Sequence, residues 1–135
     1  MMRLALLPAL LLASCCGPGI GTQPLTPLEG QKVTRVTIHA HPRNKPESKV
    51  TLTKPTDVAF VVEHLQGLES RCYDHSSPEL WLGLETSTGK HLDLRVSSLE
   101  IGPAAPASAI IRHWFPKDDA LYQFLMAKAY PGASR

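Results

Sequence analysis

Residues 80–96 read LWLGLETSTGKHLDLRV, and this stretch decides the fold. Two runs in which apolar and polar residues alternate flank the turn sequence Ser87-Thr88-Gly89. Strict alternation is typical of strands that bury one face, and a short connection containing glycine joins such strands as a hairpin. The stretch therefore predicts an antiparallel hairpin. Its predicted core-facing residues are Leu80, Leu82, Leu84, Leu92, Leu94 and Val96.

Two further strands are predicted before the hairpin. Residues 32–41 alternate in the same way, and residues 49–54 place Val50 and Leu52 on one face. The polar, proline-containing segment between them is typical of a loop. In the first of these strands the predicted inward residues are Thr34, Val36, Ile38 and Ala40. The predicted outward residues are Val33, Arg35, Thr37, His39 and His41.

Two helices are predicted, one in the middle of the chain and one near its end. Pro55 stops the second strand, and Thr56 is a good N-cap residue for a helix over residues 57–66. Asp118 or Asp119 is predicted to cap the final helix. In both segments apolar residues recur at the spacing of one helix face. They are Val58, Val61, Val62, Leu65 and Leu68, and then Leu121, Phe124, Leu125 and Met126.

The order of the elements predicts the fold class. Residues 69–78, which contain Cys72, are predicted to form a loop, residues 98–102 a short strand and residues 109–115 the last strand. Tight hairpins favour an antiparallel sheet, and helices then cover one of its faces. We therefore expect an α+β domain, with an antiparallel sheet of about four to six strands and two helices packed on one face.

The start of the chain carries a targeting pattern. Arg3 precedes a leucine-rich run over residues 4–12, which is far shorter than the roughly 20 residues that span a bilayer. The run ends in Leu12-Ala13-Ser14-Cys15, which closely resembles the lipobox of bacterial lipoprotein precursors. The resemblance implies cleavage before Cys15 and a lipid on its thiol. The alternative is an ordinary secretory signal, cut near Ala13 or Gly17.

This pattern divides the chain into three parts. Residues 1–14 are the predicted lipoprotein signal peptide, residues 15–29 a lipidated flexible tether rich in glycine and proline, and residues 30–135 a single domain. The expected location is the bacterial cell envelope, with the lipid on Cys15 in the membrane. The resemblance implies the outer membrane if the host is Gram-negative, because Cys16 and not aspartate follows Cys15.

The cysteines of the chain allow one disulfide bond. With Cys15 acylated, Cys16 and Cys72 remain in an oxidising compartment. A disulfide between them would staple the tether to the domain. The alternative is a buried free thiol at Cys72, because a bridge needs Cα atoms within about 7 Å of each other.

Composition and motifs argue against several functions. The chain has 14 basic and 12 acidic residues, which does not provide the basic stripe of a nucleic-acid-binding protein. It has no Gly-x-Ser-x-Gly, His-Glu-x-x-His or Cys-x-x-Cys motif. We therefore expect a protein that is not an enzyme, that uses no cofactor and that does not bind nucleic acid.

Two sets of residues are candidate sites. His39 and His41 share the spacing of a metal-ligand pair on one strand face, with His91, His113 or Asp93 as a third ligand. The same residues also fit a plain solvated face. The outward face of the predicted hairpin carries Trp81, Glu85, Asp93 and Arg95. These residues are a candidate partner surface, because exposed tryptophan and arginine are enriched at binding hot spots. The alternative is cross-strand pairing of Arg95 with Asp93 or Glu85, with Trp81 covered by a loop.

Together these features predict a small lipoprotein anchored to the membrane. Its domain would bind or assist another envelope component, such as an envelope protein, without catalysing a reaction. The alternative is a lipoprotein that binds a small ligand or a metal through His39 and His41.

Overall fold

The computed structural model describes residues 21–22, 31–73, 80–103 and 111–132. The predicted signal peptide, the predicted lipidation site Cys15 and the cysteine Cys16 lie outside the described residues.

The described residues form eight strands and two helices. In chain order these are β1 (Gly21–Thr22), β2 (Val33–Ala40), β3 (Ser48–Leu52), α1 (Pro55–His64), β4 (Glu69–Tyr73), β5 (Leu80–Thr86), β6 (His91–Val96), β7 (Ile101–Pro103), β8 (Ile111–Phe115) and α2 (Ala120–Ala129).

All eight strands belong to one antiparallel sheet with the order β1-β4-β8-β7-β6-β5-β2-β3. The predicted α+β fold is therefore confirmed. The sheet has more strands than the four to six expected, because two short segments, β1 and β4, extend it at one edge. The buried residues of α1 and α2 join a single hydrophobic cluster with those of the sheet.

The predicted hairpin is present with the predicted inward face. Leu82 pairs with Leu94 and Leu84 with Leu92, and Gly89 closes the turn with a φ of 82°. The three inward leucines of β5 are at most 1% exposed. Because successive side chains of a strand point to opposite faces, burying the leucines commits their neighbours to the other side.

The inward face of β2 is interrupted by a β-bulge. Val36, Ile38 and Ala40 are fully buried, as predicted. Near the start of the strand the pairing with β5 shifts register between Val33 and Arg35. The extra residue in a bulge reverses the alternation, so Val33 is buried and Thr34 is exposed. The predicted faces of these two residues were therefore wrong.

Helix α1 starts earlier than predicted. Pro55 occupies its first turn and Lys54 is the N-cap residue, so the predicted capping by Thr56 was wrong. Proline fits this position because its missing N–H would have no partner inside the helix, and its fixed φ suits the first turn. Gly67, with a φ of 64°, follows the helix, and Leu65 and Leu68 on either side of it are buried.

The two helices contact each other as well as the sheet. The rings of Phe60 and Phe124 stack with centroids 4.2 Å apart. Beside them Lys128 Nζ donates to Asp57 Oδ2 at 3.2 Å. At the start of α2 the Oδ1 atom of Asp118 accepts a hydrogen bond from the backbone N–H of Ala120 at 3.0 Å.

Two segments predicted to be irregular are strands. Cys72 lies in β4, opposite Arg112 of β8, and not in a loop. Gly21 and Thr22, placed in the predicted tether, pair with Ser70 and Glu69 as a short edge strand. Conversely, the predicted strand at residues 98–102 begins only at Ile101, because residues 97–100 form a turn in which Ser97 N–H donates to the Glu100 carbonyl at 2.9 Å.

The variant Leu82→Asp tests the inward face of the hairpin. Leu82 is 1% exposed, so the new carboxylate would lie in the core without a partner. We expect the free energy of unfolding in urea to fall by several kcal/mol. Thr51→Asp is the matched control on an exposed strand position and should change it by about 0.5 kcal/mol or less. Equal stability of the two variants would refute the assigned face.

Candidate functional site

The sheet face opposite the helices carries the residues that the sequence singled out. Strands β2, β5 and β6 lie side by side, and their pairing arranges the side chains of this face in three rows. The rows are His39-Trp81-Arg95, Thr37-Gly83-Asp93 and Arg35-Glu85-His91. We call these residues the outer face. Trp81, Glu85, Asp93 and Arg95 do lie together on it.

Trp81 occupies the middle of the first row. It is half-buried, and its ring lies 6.0 Å from the ring of His39, centroid to centroid, with an angle of 43° between the planes. Arg95, also half-buried, stands directly opposite Trp81 on β6. The row therefore places two neighbouring rings and a guanidinium on adjacent strands, which are about 4.8 Å apart.

Asp93 makes a hydrogen bond that the sequence did not reveal. His91 Nε2 donates to Asp93 Oδ1 at 2.7 Å. The alternative predicted from the sequence pairs Asp93 with Arg95 instead. A Cβ atom at Gly83 would lie 3.3 Å from both Asp93 Oδ1 and His91 Cε1. Glycine at this position therefore gives the His91–Asp93 pair room to lean over the strand beside Trp81.

The charges of the outer face are balanced. Arg35 lies directly opposite Glu85 on the neighbouring strand, and opposite charges in this position are favourable. Asp93 offsets the charge of Arg95 on the same strand face. Apart from its histidines, the outer face has two arginines and two carboxylates, and these four charges cancel.

His39 is oriented by a carboxylate from the loop between β2 and β3. Its Nε2 atom hydrogen bonds to Glu47 Oε1, and both side chains are substantially exposed, at 41% and 58%. This hydrogen bond, followed by the charge of His39 and smaller effects of His41 and Lys49, lowers the pKa of Glu47 from its ordinary value of 4.5.

The same loop is fastened to the end of α2. Tyr130 donates its hydroxyl to the Pro46 carbonyl at 2.6 Å, and Ser48 Oγ donates to the Ala129 carbonyl at 2.7 Å. Lys45 Nζ lies 4.9 Å from the centre of the Tyr130 ring. Burial, and then the charge of Glu47, raises the pKa of Tyr130. Glu47, the partner of His39, is therefore held in place by the contacts of its loop with the end of α2.

The predicted metal ligands are not brought together as a set. β2 ends at Ala40, so His41 follows the strand, and His39 is bonded to Glu47. His91 and Asp93 bond to each other on β6, with β5 between them and His39. The side chain of His113 lies outside those that the structure describes. Among the described residues, no group of three or more His, Cys, Asp or Glu side chains is arranged to hold a metal.

A concave groove lies at one end of the molecule, where the end of α1 approaches the start of α2. Its volume is about 390 Å³. Leu68, Phe115, Pro116 and Leu121 supply its apolar lining, and charged residues such as Glu63 border it. No sequence pattern predicts the groove, since its walls come from segments about 50 residues apart that carry no shared motif.

The predicted Cys16–Cys72 disulfide stays a prediction, because Cys16 lies outside the described residues. In the described part of the chain, neither helix has the length and apolarity needed to cross a membrane.

No protein-family model, no curated protein and no solved structure matches this chain.

The pH dependence of stability tests the His39–Glu47 hydrogen bond. Because folding lowers the pKa of Glu47, its ionised carboxylate stabilises the protein above pH 4.5, and this contribution is lost as pH falls through the lowered pKa. In urea titrations Glu47→Gln should be less stable than wild type at neutral pH and equally stable at a pH below that lowered value.

Glu63→Gln removes an exposed carboxylate from α1 and is the matched control. It should not reproduce this pH-dependent difference. A Glu47→Gln deficit that persists unchanged in acid would show that the ionised carboxylate is not the source of the stabilisation.

Proposed function

We propose that this protein is a lipid-anchored lipoprotein of the bacterial envelope, whose domain binds another envelope component through the outer face. The observation that carries the proposal is the arrangement of Trp81 between His39 and Arg95 on the sheet face opposite the helices. The proposed role is binding and not catalysis.

The outer face has the residue types that contribute most to binding. Tryptophan and arginine are enriched among interface residues whose truncation costs more than about 1 kcal/mol. Trp81 and Arg95 are neighbours at the centre of the face, and His91 and Asp93 are fixed beside them by their hydrogen bond. A ligand would therefore meet side chains that are already ordered, which lowers the entropic cost of binding.

The resemblance of Leu12-Ala13-Ser14-Cys15 to a lipobox supports the anchor. In such proteins the cysteine carries more than one acyl chain. One chain gives marginal membrane binding, whereas two or more anchor a protein stably, at about 0.8 kcal/mol per buried methylene. The proposed location is the envelope membrane, and the outer membrane if the host is Gram-negative.

The alternative is a lipoprotein that binds a metal through His39 and His41. His39 hydrogen bonds to the Glu47 carboxylate, and the charge of His41 adds a smaller lowering of the Glu47 pKa. However, His39 Nε2 is engaged by Glu47, and a metal would have to displace this hydrogen bond.

Zinc addition separates the two proposals. For the binding domain we expect no shift in melting temperature when Zn²⁺ is added in excess at neutral pH, measured by scanning calorimetry. A rise in melting temperature that His39→Ala and His41→Ala each abolish would favour the metal-binding alternative. Lys49→Ala, a neighbour of His39 on β3, is the control for nonspecific effects.

Anchoring is tested by comparing the full chain with its Cys15→Ser variant. We expect the wild-type protein to fractionate with membranes and to have an intact mass equal to the chain from Cys15 plus acyl groups. Without the thiol, the variant should lose the acyl mass and leave the membrane fraction. An unmodified wild-type chain cut near Ala13 or Gly17 would show an ordinary secretory signal instead.

The binding role is tested with isolated bacterial envelopes and the detergent-solubilised full chain. We expect Trp81→Ala and Arg95→Ala to weaken retention on envelopes about tenfold each, which corresponds to about 1.4 kcal/mol. Ala127→Asp places a charge on the exposed side of α2 and should bind like wild type. Loss of binding in Ala127→Asp alone would place the contact on the helical layer.

A further inference from the structure

We infer that the outer face binds an uncharged glycan, with a sugar ring stacked on Trp81 and its hydroxyl groups bonded to the polar side chains around it. This inference rests on the proposed function and names the class of its ligand. Four features of the described residues carry it: the neighbouring rings of Trp81 and His39, the surrounding hydrogen-bonding groups, the neutral charge of the face and the glycine at position 83.

The first feature is the ring platform. A pyranose is polar around its rim, but its C–H groups form an apolar face, and the negative face of an indole attracts them. Trp81 is the largest apolar side chain of the outer face, and the His39 ring extends its surface toward β2 with centroids 6.0 Å apart. A sugar ring is about as wide as the spacing between strands, about 4.8 Å, so successive rings can follow the row across the sheet.

The second feature is the set of polar groups on the two strands beside Trp81. Asp93 supplies a carboxylate, Thr37 a hydroxyl and Arg95 a guanidinium, all on adjacent strands. Planar charged groups and hydroxyls form hydrogen bonds with sugar hydroxyls that act as both donors and acceptors. The His91–Asp93 hydrogen bond engages Oδ1 and holds the carboxylate in place, and a carboxylate can accept hydrogen bonds through both of its oxygens.

The third feature is charge balance. Arg35 and Arg95 match Glu85 and Asp93 in number, and Glu47 and Lys49 at the margin add one charge of each sign. An anionic lipid surface or a nucleic acid would require an excess of basic residues. The fully buried centre of a protein–protein interface is more apolar than the rest of the surface, whereas Trp81 has polar neighbours, and this favours a polyhydroxylated ligand over a protein. An uncharged, polyhydroxylated ligand fits a face on which these positive and negative charges are equal in number.

The fourth feature is the opening beside Trp81. Gly83 is the next residue of β5 on the same face, and it presents no side chain. Asp93 and His91 lean over this position from β6, since a Cβ there would approach both to 3.3 Å. A larger side chain at position 83 would displace the His91–Asp93 pair and occupy the space next to the indole of Trp81. Gly83→Val should therefore impair glycan binding while Trp81 is intact.

The two tryptophans of the chain make the test specific. Trp114→Phe leaves Trp81 as the only indole, and Trp81→Phe leaves Trp114. The probes are chitotetraose and cellotetraose, two uncharged β1,4-linked tetrasaccharides. We expect saturable changes in the fluorescence of the Trp114→Phe protein with at least one probe. We expect none in Trp81→Phe, and at least a tenfold loss of affinity by calorimetry in Trp81→Ala and Gly83→Val.

Folding of each variant is checked by circular dichroism and thermal melting, and Arg95→Lys serves as a milder variant that keeps the charge. If neither tetrasaccharide produces a saturable signal from Trp81, or if the signal comes from Trp114, the glycan inference is wrong.

Isolated envelopes distinguish this inference from the proposed function. Competition by the active tetrasaccharide, and loss of binding after the envelope glycans are digested with muramidase, would support the glycan. Binding that depends on Trp81 but survives digestion and is destroyed by protease would overturn the glycan and leave the binding role intact. Absence of any Trp81-dependent binding would overturn both.

Discussion

The arrangement of the whole molecule depends on the alternation of side chains along β5. Leu80, Leu82 and Leu84 are almost completely buried under the helices. A strand has a period of two residues, so burial of these leucines places Trp81, Gly83 and Glu85 on the opposite face. A register slip of one residue would exchange the two sets, and the core would then receive an indole and a carboxylate. The hydrophobic effect on one side of the sheet therefore positions the polar residues on the other.

The neighbours of the outer-face side chains are set at three different levels of structure. Strand register sets Trp81 opposite Arg95 and Arg35 opposite Glu85. A local contact between next-nearest residues sets the His91–Asp93 hydrogen bond. The orientation of His39 depends on Glu47, and the loop that carries Glu47 is held by Tyr130 after the last helix. Changes at the end of α2 are thus coupled to the outer face through a short chain of contacts.

The sequence was sufficient where the pattern is local and regular. The alternation in β5 and β6 predicted both faces of the hairpin, and with them the grouping of Trp81, Glu85, Asp93 and Arg95. It failed where pairing with a distant segment decides the outcome. The bulge near Thr34 is defined by the register between β2 and β5, and Cys72 becomes part of a strand only because β8 pairs with it. The bond from His39 to Glu47 likewise requires the loop to fold back along β2.

The position of β4 has a consequence for the order in which the chain folds. β3 and β4 are successive strands joined by α1, yet β8, β7, β6, β5 and β2 lie between them in the sheet. β4 pairs over its whole length with β8, which lies about 40 residues later in the chain. During folding the backbone of β4 therefore lacks its main partner until β8 pairs with it, whereas the hairpin of β5 and β6 forms from local contacts. Until that pairing is made, Cys72 belongs to an unpaired strand edge, which is open to pairing with a wrong strand.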